Sequence, residues 1–204
     1  MERSLEFSPE QEDALHEVAN IMMGHATTAL ARLSQTRIDI EIPRIELLDW
    51  EEGVRVASAD SAILAGVRTR MLGKLTGEIY VTFPRESAFK LTDLLRGLPV
   101  GHTRYMSASA ASTLTEVGNV LAGSCLAAFY QFLDISLVHS VPEFVYDVWG
   151  AFAQSETTGG REGDSVLLAQ VTFSAPEVDL QGSLILLFTL ESMVELVKAL
   201  ETNE

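Results

Sequence analysis

The sequence predicts an α+β fold: one mainly antiparallel sheet of about six strands with helices packed against it, its two halves related by a pseudo-twofold axis. Two observations carry that expectation. The first is an internal repeat. DALHEVAN, Asp13 to Asn20, returns as STLTEVGN, Ser112 to Asn119, and one offset (116 − 17 = 99) also carries Gly24 onto Gly123, Pro43 onto Pro142 and Trp50 onto Trp149, the only two tryptophans. So many matches at one offset mark a duplicated unit. The second is the order of periodicities, which in each half runs helix, strand, short connecting segment, strand, strand, helix. We read residues 1–204 as a single domain with repeat halves at about 8–104 and 105–204.

Taken in order, Ser8-Pro9-Glu10-Gln11 reads as a helix start, with Ser8 as N-cap, Pro9 in the first turn and Gln11 closing a capping box. Glu10, Glu12 and Asp13 suit the positive end of the helix dipole. Leu15, Val18, Ala19, Met22, Ala26, Leu30 and Leu33 recur at helical spacing and predict a buried stripe. At ~100° per residue, Asp13, Glu17, Asn20 and Gly24 fall on the opposite face. The second copy predicts the same division: Leu114, Val117, Leu121, Cys125, Phe129 and Phe132 inward, Ser112, Glu116, Asn119 and Gly123 outward. An extended segment then leads to each paired proline. Ala62 to Leu72 and Leu75 to Phe83 predict two strands around Gly73-Lys74 with Gly77 inside the second. Ser165 to Ser174 and Leu180 to Phe188 repeat them with Gly182 inside. Here the offset is 182 − 77 = 105, and the loop-like SETTGGREGD, Ser155 to Asp164, is the expected place for the extra six residues. Helices Glu86 to Arg96, capped by Gly97, and Glu191 to Leu200 close the halves.

Composition narrows the function. With 204 residues, 47% of them hydrophobic, the chain can bury a sizeable core. Its net charge of −15, with eleven Arg, three Lys and no basic patch, argues against nucleic acid. No apolar run is long enough to insert in a membrane, and the N-terminal residues do not resemble a signal peptide, so we expect a cytoplasmic protein. Cys125 alone allows no internal disulfide, and its place in the inward stripe marks it as core. The four histidines have no ligand spacing, so no metal or cofactor of the chain's own is expected. Gly66 to Lys74 lacks the first glycine and the terminal Ser or Thr of a phosphate-binding loop. The two tryptophans are expected to anchor packing beside the sheet.

That leaves Glu17 with Asn20 and Glu116 with Asn119. One such pair would ordinarily be a solvated face. Two pairs, each followed on the same face by a glycine that costs a helix about 0.8–1.0 kcal/mol relative to alanine, point to a macromolecule approaching the helix closely. Asp or Ser, three residues, Glu, two residues, Asn, then twenty-two residues and Pro resembles the signature of the CheC, CheX and FliY phosphatases of bacterial and archaeal chemotaxis. Asp13, Glu17, Asn20 and Pro43 fit it, and Ser112, Glu116, Asn119 and Pro142 fit it again. Two motifs per chain resemble CheC more than CheX, which has one site, while FliY would carry a further switch-complex domain.

The resemblance implies a CheC-like fold and hydrolysis of the aspartyl phosphate of a phosphorylated CheY-type response regulator. It implies that Asn20 and Asn119 orient the attacking water and that Glu17 and Glu116 meet the regulator's lysine. Asp13, Gly24, Ser112 and Gly123 would then belong to the docking surface. The Mg²⁺ of the reaction would reside on the regulator, and the receptor deamidase CheD would be a second partner. Two readings compete: a non-catalytic adaptor that binds regulators or CheD, and a phosphatase for a non-chemotactic response regulator.

Overall fold

The computed structural model describes residues 7–34, 37–49, 52, 64–147, 165–175 and 178–202. Among them are four helices and seven strands. α1 spans Pro9–Ser34, β1 Asp39–Asp49, β2 Leu64–Gly73, β3 Gly77–Pro84 and α2 Arg85–Leu95. α3 spans Ala108–Leu133, β4 Leu137–His139, β5 Glu143–Asp147, β6 Ser165–Ala175, β7 Val178–Phe188 and α4 Leu190–Thr202. The strands form one sheet in the order β1-β6-β7-β3-β2-β4, with β5 also on β2, and every pairing is antiparallel. Exchanging each strand for its repeat mate reads this order backwards, so the expected pseudo-twofold is built into the sheet.

The axis passes through the seam between β3 and β7. Tyr80 pairs with Ile185, 105 residues on, and the register is symmetric to either side: Glu78 faces Leu187, and Thr82 faces Ser183. The two strand glycines are required here. A Cβ on Gly77 would lie 2.0 Å from the Leu187 carbonyl oxygen, and one on Gly182 would lie 2.9 Å from that of Thr82, the matched residue. Only glycine lets the backbones come this close.

The paired prolines also have a shared consequence. β1 changes register between Glu41 and Arg44, and in the second half the ladder breaks between β4 and β5. Pro43 and Pro142 stand at these two places; proline donates nothing to a ladder. The seventh strand, beyond the six expected, is thus a single strand of the first half divided in two.

The two offsets are reconciled by register. Val67 pairs with Val81; shifting Val81 by 105 gives Leu186, whose partner is Leu167, only 100 beyond Val67. Five of the six extra residues therefore lie in the β6–β7 hairpin. This corrects the expected insertion at Ser155 to Asp164, which itself falls outside the described residues, as do Trp50 and Trp149.

The helices cover one sheet face. Ile79, Val81 and Phe83 of β3 and Leu184, Leu186 and Phe188 of β7 join Leu15, Met22, Leu30, Leu114, Leu121, Phe129, Leu91 and Leu196 in a single buried cluster. On the other face Arg68 pairs with Glu78, which also accepts a hydrogen bond from the Tyr80 hydroxyl, while Glu143 lies 3.5 Å from the Arg68 guanidinium. Charges held there remain tolerable because they are paired. The link from α2 to α3 is fastened by buried Asp93, whose carboxylate accepts from the backbone N–H groups of Gly101 and Thr103.

Candidate active site

Each motif helix is fixed in phase by its first residues. Ser8 Oγ accepts from the Gln11 N–H at 3.3 Å while Gln11 Oε1 accepts from the Ser8 N–H at 2.8 Å, the reciprocal box that the sequence predicts. Ser107, 99 residues on, caps α3 by accepting from the Ala110 N–H at 3.1 Å. Both helices run for 26 residues, and their bounds also differ by 99.

From this phase the two faces follow. Leu15, Val18, Ala19, Met22, Ala26 and Leu30 are buried, as are Leu114, Val117, Leu121, Cys125 and Phe129. Leu33 departs from the expected stripe: it is 41% exposed and lines a surface groove. Phe132 packs on the core while remaining half-buried. Burial in hydrocarbon pushes the Cys125 thiol up to about 12, as befits a core residue and not a nucleophile.

On the outer face, Asp13, Glu17, Asn20 and Gly24 are exposed on α1, and Ser112 and Glu116 on α3, while Asn119 and Gly123 are half-buried. Glu and Asn three positions apart are displaced by ~4.5 Å along the axis and ~60° around it, so one partner can touch both. None of these four side chains makes a hydrogen bond or ion pair among the described residues. Gly24 meets open space where a Cβ would stand, and Gly123 has only His139 Nε2 at 3.8 Å. Neither glycine is demanded by packing. Gly118, inside the second motif, is: a Cβ there would lie 2.4 Å from that of Val67 on β2.

The two helices lie against each other antiparallel. His25 Nε2 is 3.0 Å from Gln131 Oε1. Further along α1, Leu33 shares a groove with residues much earlier in α3. The two motifs therefore sit toward opposite ends of the pair. That groove, of about 450 Å³, is lined by Leu33, by Leu95 and Arg96 at the end of α2, and by Ser109, Ser112, Thr113 and Glu116 of α3. The sequence marks Arg96 only as a helix end, with no part in a site. Its signal was available, since the 105 offset sets it against Glu201, a reversal of charge. Glu201 indeed reaches the start of α1, where its Oε1 accepts from Gln11 Nε2 at 3.1 Å.

The first motif is consequently acidic, with Glu10, Asp13, Glu17 and Glu201 where the second has Ser109, Ser112, Glu116 and Arg96. Hydrogen bonds from its own backbone N–H and from Ser8 hold the Glu10 carboxyl below the usual range.

The family model described as CheC-like matches residues 10–47, which span the first motif helix and most of β1. The CheY-P phosphatase CheC of Bacillus subtilis (strain 168) is 38% identical over 148 residues, covering 70% of this chain and 69% of the relative. Among solved structures, Thermotoga maritima FliY superposes with a TM-score of 0.80 at 17% identity, covering 98% of this chain and 100% of its own. CheX from Borrelia burgdorferi, solved as a complex with CheY, BeF3 and Mg²⁺, gives 0.52 at 19% identity over 83% and 97%.

Proposed function

The chain belongs to the CheC-like family, and from that membership we propose that it is a CheY-P phosphatase with one catalytic centre on α1 and another on α3. It removes the phosphoryl group from the aspartyl phosphate of a CheY-type response regulator. The observation that carries the two-centre reading is the pair of outward Glu–Asn faces, exposed but for half-buried Asn119, each with a glycine one turn on that packing does not require.

The chemistry asks little of the chain. Water attacks phosphorus, the bond between phosphorus and the aspartyl oxygen breaks, and the products are inorganic phosphate, a free carboxylate and one proton released to solvent. Charge on the phosphoryl group is neutralised by the Mg²⁺ and lysine that the regulator itself holds; the chain brings no cofactor. Its contribution is position. The Asn20 or Asn119 side-chain amide bonds the water and holds it in line, as a glutamine does in GTPases. Glu17 or Glu116 accepts a charge-assisted hydrogen bond from the regulator's lysine and sets the register of docking. Gly24 and Gly123 let the regulator's backbone close on the helix; Asp13 and Ser112 border the contact.

The test is the decay of phosphorylated regulator with and without the protein. Faster decay that vanishes when Asn20 and Asn119 are both replaced is expected; faster decay that survives the double replacement would place the chemistry elsewhere. The receptor deamidase CheD is proposed as a second partner, checked by co-purification. A cytoplasmic location is proposed with them, and fractionation should find the chain there.

A further inference from the structure

The phosphatase reading treats the two motifs as equivalent, but the groove beside the second one is not. Arg96 is exposed at the C-terminal end of α2 and forms no ion pair among the described residues. It lines the same groove as Ser112 and Glu116, with Leu33 and Leu95 supplying an apolar floor. At the matched place by the first motif stands Glu201, held toward α1 by Gln11. Phosphorylation makes the regulator's reacting face more negative than that of the unloaded form, since a carboxylate becomes an acyl phosphate carrying a further negative charge. A rim charge of opposite sign raises encounter rate and selectivity more than intrinsic turnover, and salt screens it.

We propose that Arg96 is a specificity-determining residue, which makes the α3 motif the one that selects the phosphorylated, anionic form of the regulator, while Glu201 sets the α1 motif against it. This rests on the phosphatase reading. It adds a division of labour: the second motif discriminates by phosphorylation state, and the first takes regulator with less regard to it.

The test uses single-motif proteins, Asn20→Ala to leave the second motif and Asn119→Ala to leave the first. In the Asn20→Ala protein, Arg96→Glu should raise KM for phosphorylated regulator about three- to tenfold at low salt with kcat unchanged. The difference should collapse near ~0.5 M salt, where screening reaches only a few ångströms. Arg96→Lys should preserve the original KM and its salt dependence. In the Asn119→Ala protein, Glu201→Arg should lower KM. A binding arm reads the same preference without turnover: with the first motif closed to docking by Gly24→Leu, Arg96→Glu should weaken affinity for beryllofluoride-loaded regulator and leave that for unloaded regulator nearly unchanged.

Equal losses for both forms, no loss, or a fall in kcat at constant KM would each overturn the proposal. Melting temperature guards against misfolding and should fall by no more than a few degrees, the scale of reversing an exposed charge at a helix C-terminus. If the double Asn variant hydrolysed as fast as the parent, the catalytic assignment would fail, and the binding arm would still decide on Arg96.

Discussion

The two motif helices share length, serine cap and Glu–Asn pair, yet they are seated differently. α1 carries Ala19 where α3 carries Gly118, and that missing methyl lets α3 approach Val67 of β2 more closely than a side chain would permit. Asn119 is half-buried and Asn20 exposed. Around α1 the side chains are acidic, while around α3 they are neutral or basic at the matched positions. The duplicated unit thus kept its Glu–Asn pair and let the packing behind it and the charges beside it diverge. Depth of seating and electrostatic setting are the variables by which one chemistry can be tuned into two sites.

The largest effect expected concerns what the helices have in common. Replacing Asn20 and Asn119 together should reduce stimulated hydrolysis by about 100-fold or more, the scale of losing a positioned reactant. Either single change should leave partial activity, read as regulator decay; if one alone abolishes it, the helices are not two working copies. Next, within the Asn20→Ala protein, Asn119→Ala should lower turnover with little change in affinity for beryllofluoride-loaded regulator. Glu116→Ala should weaken that affinity about fivefold, as befits an exposed ion pair. The reverse pattern would exchange the two roles.

Smaller effects probe the seating. Gly118→Ala should cost ~1–3 kcal/mol through overpacking against Val67, a drop of several degrees in melting temperature. At the matched position Ala19→Gly should cost ~1 kcal/mol for the opposite reason, lost helix propensity. An unchanged melting temperature in Gly118→Ala would mean that the helices are seated alike.

Cys125, where α1 has Ala26, makes the α3 stripe alone titratable. Below the ordinary thiol value of 9.0, both folded and unfolded chains keep the proton; above it only the unfolded chain ionises, until about pH 12. Stability should therefore fall as pH rises through that window, by on the order of 1 kcal/mol near pH 10, and Cys125→Ala should remove this part of the slope in denaturant titrations. Least of all, Gly24→Ala should stabilise by ~0.8–1.0 kcal/mol because nothing stands where its Cβ would go. Gly24→Leu should keep the fold and lose docking at the first motif, checked by melting and by regulator affinity.

Much of this was legible in one dimension. The capping box, both stripes, the exposed pairs and the strand glycines depend on neighbours within a turn or on pleat alternation, which a sequence records directly. Gly118 was not legible, because its reason is Val67, a residue 51 positions away on a strand. Leu33 fitted the helical stripe, but its place on a surface groove beside α2 and α3 is a matter of tertiary packing. Arg68 and Glu78 alternate with apolar residues and resemble a solvated face; only the register that brings them together shows a buried pair. The site was read from its repeat, whereas Arg96 belongs to another helix and enters the groove through tertiary packing alone.

The seam between β3 and β7 makes the molecule a dimer whose subunits happen to share one chain. Each half also lends an outer strand to the other, β1 to β6 and β4 with β5 to β2, so a half standing alone would leave that strand without a neighbour as well as the seam edge unpaired. The segment from Arg96 to Ser107 is then a tether that holds the second half at a high effective concentration near the first. Severing it would turn folding into a bimolecular reaction, and the split protein would owe its activity to how much of each piece is present.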